Sequence, residues 1–356
     1  MRVAKLIKPN NIQVVNEAFS ALPGPGQAVV KVMAVGICGT DMHIFQGKRD
    51  DVAMPRVMGH ELSGIVQEVG TDVDSVKVGD RVVLDPVISC GECKPCRQGQ
   101  PNVCKDVKCY GVQTDGGFRD YIVVDAKKLY RFPDRYSYPE ASLAEPFSIA
   151  ANILDRANLQ KGDSVVIIGA GTVGLCTAQA AKGLDAKVLI SDRVEKKLEM
   201  AKLINCDRVV NADHENLKDA VAAFFPDGVD VIIDCVGNAA MLKQAVELAT
   251  PLTRIVIIGF DGYEASISPA DITKRELTIV GSRMNALKFP EIVRWLDADI
   301  IHPSLLITAQ FPIEQIQQAF EYSLSHPENI KTVIVFQSDA NSARQEPHGE
   351  RKGRLS

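Results

Sequence analysis

Two hydrophobic rhythms divide the chain. Up to about residue 150, short β-branched runs such as QAVVKVMAVGI and GDRVVLDPV are broken by Gly and Pro, as in LPGPGQ. That pattern predicts a mainly β unit. From residue 151 the apolar runs become continuous. DSVVIIGAGTVGLCTAQAAKGL reads as a strand, a glycine turn and a helix. AKVLISD, DVIIDCVG, RIVIIGF and ELTIVGS follow as strands, with helical stretches such as VEKKLEMAKLI between several of them. Strands apolar throughout and separated by helices predict a parallel sheet covered on both faces. Beyond about residue 287 come a helix in FPEIVRWLDA, another in IEQIQQAFEYSL and a strand in KTVIVFQ. The expected class is α/β. The tail, 338–356, is polar and charged and is expected to be disordered.

Composition narrows the partners. At 356 residues the chain is too long for one ordinary core, so two domains are expected. A net charge of −5 with no basic block argues against nucleic acid. The N-terminal MRVAKLIKPNNIQVV lacks the apolar core of a signal peptide, and no apolar run is long enough to span a bilayer. The expected setting is the reducing cytoplasm, with a small molecule as partner, no nucleic acid and no membrane. This setting changes how the nine cysteines are read. Four of them, Cys90, Cys93, Cys96 and Cys104, fall in CGECKPCRQGQPNVC with spacing C-x2-C-x2-C-x7-C. Disulfides, an iron–sulfur cluster and zinc compete for them, and the compartment counts against disulfides.

Gly169, Gly171 and Gly174 form G-x-G-x-x-G between a strand and a helix, with Thr172 and Val173 inside the turn. Gly169 permits the tight turn, Gly171 lets the backbone approach a pyrophosphate, and Gly174 allows close helix–strand packing. Free N–H groups at the helix start favour phosphate. Asp192, ending the next strand, would take the ribose hydroxyls and repel a 2′-phosphate. NAD is therefore expected over NADP, although Arg193 next to it could sit on the adenine or meet a phosphate. Val236, Ser282 and Arg283 complete the residues expected against the cofactor.

GICGTDMH holds Cys38, Thr40, Asp41 and His43; GHELSG holds His60 and Glu61; LAEPF holds Glu145. Cys, His and carboxylate suit a catalytic zinc with an open position. Taken singly, each has a plainer reading: a buried small hydrophobe, a core histidine, a loop carboxylate. Together they form a pattern. G-H-E-x2-G-x5-G-x2-V stands at Gly59, His60, Glu61, Gly64, Gly70 and Val73, beside C-G-T-D-x-H, GDRV, the cysteine lobe and the glycine turn. On these motifs, over about residues 1–337, the chain resembles the zinc-dependent medium-chain alcohol/polyol dehydrogenases. GVQTDGGFRDY, EPFSIAAN and SRMNALKFP resemble the sorbitol-dehydrogenase side. Within it they resemble a bacterial branch of starvation-sensing-like proteins and L-gulonate or L-galactonate 5-dehydrogenases.

The resemblance implies a GroES-like β-barrel catalytic domain of residues 1–150 and 288–337, with a structural-zinc lobe at about 88–106. It implies a Rossmann NAD domain of residues 151–287, and a homodimer or homotetramer. It assigns a structural zinc to Cys90, Cys93, Cys96 and Cys104. Four thiolates close a tetrahedral site, and Lys94, Arg97 and Lys105 offset its charge. Ferredoxin spacing differs in its last gap and in its following Pro. Cys109, Cys176, Cys206 and Cys235 read as packing residues. A catalytic zinc falls to Cys38 and His60, then Glu61 and Glu145 with water; Glu145 stands where alcohol dehydrogenases have a second Cys, which leaves open whether Glu61 binds directly or Glu145 only through water. Asp41 is expected to orient His60 through its other ring nitrogen.

The implied reaction is zinc-assisted hydride transfer from a secondary alcohol to NAD, with the proton leaving through Thr40 and His43. A sugar acid would need a cation, and Arg283, Arg119 and Lys288 are the candidates. An aldonate of L-gulonate or L-galactonate type, oxidised at C5, is the expected substrate. Polyols, L-threonine and butanediol are alternatives within the same chemistry. A non-enzymatic NAD(H) sensor is an alternative of another class; the intact Cys38, His60 and Glu145 set argues against it.

Overall fold

The computed structural model describes residues 1–259 and 264–336, so the tail expected from 338 lies outside the described residues. Two sheets organise the chain. The first has six parallel strands in the order Arg208–Asn211, Lys187–Asp192, Ser164–Ile168, Val231–Asp234, Arg254–Ile257 and Thr278–Gly281. Val165, Val166, Ile167, Ile232 and Ile233 are fully buried, because helices cover both faces. The order reverses beside Ser164–Ile168: its successor pairs on one side and Val231–Asp234 on the other. The crevice at such a reversal is where parallel sheets bind ligands.

The second sheet gathers strands from both ends of the chain. Its order is Ile307–Pro312, Lys331–Val335, Gln27–Gly36, Glu61–Val69, Arg81–Leu84 and Leu129–Arg131, with Tyr121–Asp125 also pairing with Gln27–Gly36. Gln27–Gly36 is the hub. One edge carries Glu61–Val69 along its whole length. The other carries Tyr121–Asp125 on its first half and Lys331–Val335 on its last three residues. The closing strand thus begins beside the residues that precede Cys38.

Helix Ala144–Arg156 joins the two sheets. It buries Phe147, Ala150, Ala151, Ile153 and Leu154, and shares one apolar cluster with the parallel sheet, with Ala34 and Val83 of the other sheet, and with Trp295 and Leu296. A boundary at residues 150/151 therefore falls inside a helix. Covered on most sides, this helix lacks the one-sided stripe that marks a surface helix in sequence. The 287/288 boundary meets structure more cleanly, since Lys288 caps helix Phe289–Asp297.

The glycine turn shows why its glycines are needed. Gly169 has φ +101°, which L side chains avoid. A Cβ on Gly174 would lie 1.9 Å from the Gly169 carbonyl oxygen. Backbone cannot yield as a side chain can. Gly174→Ala is therefore expected to destabilise the protein by about 1–3 kcal/mol in urea unfolding, the usual cost of overpacking. An unchanged midpoint would mean that this packing is looser than the structure describes.

Candidate active site and structural metal centre

The first donor cluster forms where two paired strands end. Gln27–Gly36 runs through Ile37 to Cys38, which caps the short helix Gly39–Phe45. Glu61–Val69 lies antiparallel to it, with Glu61 opposite Gly36. His60 and Glu61 therefore arrive beside Cys38, and one donor atom from each of the three lies within 4.8 Å of the others. Gly36 makes the room: a Cβ there would stand 2.0 Å from Glu61 Oε2. His60 and Glu61 are 5% and 1% exposed, and Cys38 is half-buried. A thiol, an imidazole and a carboxylate in one recess suit zinc, with a coordination position to spare.

Glu145 comes from a different element, the first turn of Ala144–Arg156, and lies outside that 4.8 Å set. It is buried, and burial pushes its carboxyl up to about 8; His60 opposes the shift and Glu61 adds to it. A divalent cation in the recess would reverse that shift, so this residue also fits a metal-bearing site.

Asp41 differs from the expectation. Its Oδ1 lies 3.6 Å from His60 Nδ1, too long for a hydrogen bond. Its carboxylate instead accepts from the Cys38 N–H at 3.0 Å and the Gly59 N–H at 3.2 Å. It thus fixes the backbone at one ligand and just before another. The Asp41 charge still acts on His60: burial alone would lower the imidazole, but Asp41, then Glu145 and Glu61, raise it above its ordinary value. Thr40 is half-buried and His43 is exposed on the same short helix, three residues apart and so on one face.

Lys331 escaped the sequence reading. It starts the closing strand, is 2% exposed, and its Nζ lies 2.7 Å from both Glu61 oxygens. It also donates to the Ile37 carbonyl at 2.9 Å, so its three N–H groups are all placed. The signal was available: KTVIV is an otherwise apolar run with a lysine at its head.

The cysteine lobe holds its sulfurs in a tight group. Cys93 and Cys96 Sγ are 3.4 Å apart, Cys104 and Cys90 are 3.5 Å apart, and Cys90 and Cys96 are 4.0 Å apart. A tetrahedral zinc with bonds of about 2.3 Å sets its sulfurs roughly 3.8 Å apart, and a disulfide about 2 Å. Backbone N–H groups of Cys93, Cys90 and Asp106 donate to these sulfurs at 3.4 Å, which favours thiolates.

At the glycine turn, the first intrahelical bond runs from the Leu175 N–H to the Gly171 carbonyl, so the N–H groups of 172–174 face the turn. A Cβ on Gly171 would meet nothing within 4 Å, the open approach a pyrophosphate needs. Val236 is half-exposed beside Gly169, and Val173 begins the helix. Asp192 accepts from the Ala170 N–H at 2.7 Å and from the Arg193 and Val194 N–H groups, and its oxygens keep lone pairs for a ribose. Arg193 points out to Asp213 at 2.7 Å. The Thr172 hydroxyl donates to the Ile330 carbonyl, tying the turn to the residue before Lys331.

The three cation candidates separate. Lys288 is engaged by Asp155 at 3.2 Å and Glu291 at 3.7 Å, as a helix cap beside carboxylates. Arg119 is largely buried. It donates to the Asp115 carbonyl and lies near the charges of Asp115 and Glu17, none of which belongs to the donor cluster. Arg283 is exposed on the segment after Thr278–Gly281, next to Ser282, whose hydroxyl accepts from Asn152.

Comparison with known proteins agrees with this geometry. Residues 24–134 match the alcohol dehydrogenase GroES-like domain, and residues 172–298 match the zinc-binding dehydrogenases. The chain is 38% identical to the starvation-sensing protein RspB of Escherichia coli K12, over 92% of this chain and 97% of that one. It is 33% identical to an L-idonate 5-dehydrogenase of Vitis vinifera, over 87% and 88%. The crystal structure of an alcohol dehydrogenase (rspB) from E. coli CFT073 with NADH superposes with a TM-score of 0.89, at 37% identity over 94% of this chain and 99% of the other. The chain belongs to the zinc-binding alcohol dehydrogenase family, whose members act on CH–OH groups with a nicotinamide cofactor and zinc.

Two outcomes follow from the site. Lys331→Met would leave Glu61 buried and unpaired, so urea unfolding should show a loss of about 3–5 kcal/mol. Glu61→Gln added to Lys331→Met should recover much of it. If the two losses add instead, the pair is not coupled. Metal analysis should find two zinc ions per chain in the wild type; this count rests on the two donor clusters, roughly one ion each. Cys93→Ser should lose one zinc and melt earlier, and Cys38→Ser should lose the other.

Proposed function

We propose that this zinc-dependent dehydrogenase oxidises a secondary alcohol of a sugar acid, of the L-gulonate or L-galactonate type at C5, with NAD as acceptor. The observation that carries the chemistry is the convergence of Cys38, His60 and Glu61, faced by Glu145, in a chain whose parallel sheet holds a dinucleotide turn at its reversal. The likeness to an L-idonate 5-dehydrogenase, and Arg283 as a cation for a carboxylate, support the sugar acid.

When bound, zinc supplies a Lewis acid for the substrate hydroxyl and NAD supplies the hydride acceptor. Cys38, His60 and Glu61 would hold the metal, with Glu145 as a further donor or hydrogen-bond partner. Asp41 keeps the two ligand-bearing backbones in place. Lys331 aims the Glu61 carboxylate. Thr40 accepts the hydroxyl proton as it gives up its own, which would pass by way of the nicotinamide ribose to His43, exposed on the same helix face, and from there to water. Asp192 and the start of Thr172–Gly183 hold ribose and pyrophosphate. Assembly as a homodimer or homotetramer, in the cytoplasm, belongs to the same reading.

A neutral polyol is the second reading. It is favoured by the engagement of Lys288 with Asp155 and of Arg119 with the Asp115 carbonyl, which takes two of the three proposed cations away from a carboxylate.

NADH formation should be followed with L-gulonate, L-galactonate, sorbitol, xylitol, butanediol and L-threonine, with and without a zinc chelator. Chelator-sensitive turnover of the aldonates is expected. Turnover of sorbitol and xylitol alone selects the polyol reading. NAD binding without turnover of any member would make the protein a sensor. Thr40→Val should lower kcat by about 10²–10⁴-fold, the usual contribution of a positioned proton carrier.

A further inference from the structure

The segment from Ser282 to Leu287 links the last strand of the parallel sheet to helix Phe289–Asp297, and it is held in an unfavourable shape. Met284 has φ +50° and Leu287 has φ +58°, left-handed positions that residues with side chains seldom adopt. Such a shape persists only where neighbours impose it. Three asparagines do so here. Asn152, on the helix that carries Glu145, donates to Ser282 Oγ at 3.1 Å, the Arg283 carbonyl at 3.3 Å and the Met284 carbonyl at 3.0 Å. Asn285 donates to Asp85 at 3.2 Å. Asn102 comes from the cysteine lobe, within the turn Pro101–Val103 that leads into Cys104. It is 4% exposed, and its Nδ2 donates to the Arg283 carbonyl at 2.7 Å.

A carbonyl gripped from two sides fixes the peptide plane that follows its residue. With the Ser282 N–H also bonded to the Ile257 carbonyl at 2.9 Å, the backbone is held on both sides of Arg283, and so is the direction in which its side chain leaves the chain. The shorter of the two bonds comes from the lobe, 181 residues away in sequence. We propose that Asn102 is a positioning residue for Arg283: through this bond the structural-zinc lobe sets where the cation of the substrate pocket stands. The lobe then does more than stabilise the fold, because substrate affinity depends on its integrity. This inference rests on the reading of Arg283 as a substrate contact, and the test separates the two.

The test is calorimetric titration of the zinc-replete, NADH-bound enzyme with L-gulonate and, separately, sorbitol. Asn102→Ala should raise the Kd of the bound probe roughly five- to tenfold, the size of one net hydrogen bond. Arg283→Ala should raise it at least as much. The double variant should bind no more weakly than Arg283→Ala alone, because Asn102 acts only through Arg283. The zinc content of the Asn102 variants should stay at the wild-type value, which a merely structural role in the lobe would not guarantee. Where Asn102→Ala fails to fold, Asn102→Leu fills the same space and removes the donor without adding a charge. Additive losses in the double variant overturn the proposal. So does an Asn102 variant that loses zinc while keeping its affinity. If Arg283→Ala weakens binding and the Asn102 variants do not, the positioning role fails alone. If Arg283→Ala is neutral, or neither probe binds the wild type, the substrate reading beneath it fails as well.

Discussion

The metal-donor recess depends on one buried ion pair. Lys331 and Glu61 meet at 2.7 Å with almost no exposure, 270 residues apart in sequence. Neither charge is tolerable alone in such a place, so each requires the other. Their pairing locks the closing strand against Gln27–Gly36 and sets Glu61 beside Cys38 and His60. Gly36 is part of the same constraint, since any side chain there would occupy the space of the carboxylate. The donor set is thus a product of sheet closure as much as of its own motif.

Helix Ala144–Arg156 is the second organising element. Its first turn presents Glu145 towards the donor cluster, and its far half grips the segment after the parallel sheet. Asn152 holds Ser282, Arg283 and Met284, Asp155 meets Lys288, and the Arg156 guanidinium donates to the Gly281 carbonyl at 3.1 Å. One rigid rod therefore relates the metal recess to the residues proposed to meet substrate. The Thr172 hydroxyl on the Ile330 carbonyl makes a second tie, from the dinucleotide turn to the strand that carries Lys331. Cofactor turn and metal recess share a frame with few independent joints.

Much of this was legible in the sequence. The parallel strands announced themselves because strands buried on both faces read as unbroken apolar runs. The cysteine lobe was legible because its ligands lie within fifteen residues, where spacing nearly dictates geometry. Asp41 was read as the partner of His60; its charge does act on that ring, while its hydrogen bonds go to the Cys38 and Gly59 N–H groups. A carboxylate three residues after Cys38 naturally folds back onto that N–H, and the sequence could not show that this would hold it 3.6 Å from His60. Lys288 and Arg119 looked available because their partners, Asp155 and the Asp115 carbonyl, lie on other elements or behind a turn.

By itself the sequence determined the α/β class, the two metal-donor motifs and the dinucleotide turn. Each of these rests on short-range spacing: a glycine at a turn, thiols a few residues apart, a period of apolar positions. Tertiary structure decided which polar groups meet. Lys331 with Glu61, Asn102 with Arg283 and Asn285 with Asp85 join residues 270, 181 and 200 positions apart. Such pairs follow from strand order and helix packing, which depend on every apolar contact at once, so no local window of residues contains them.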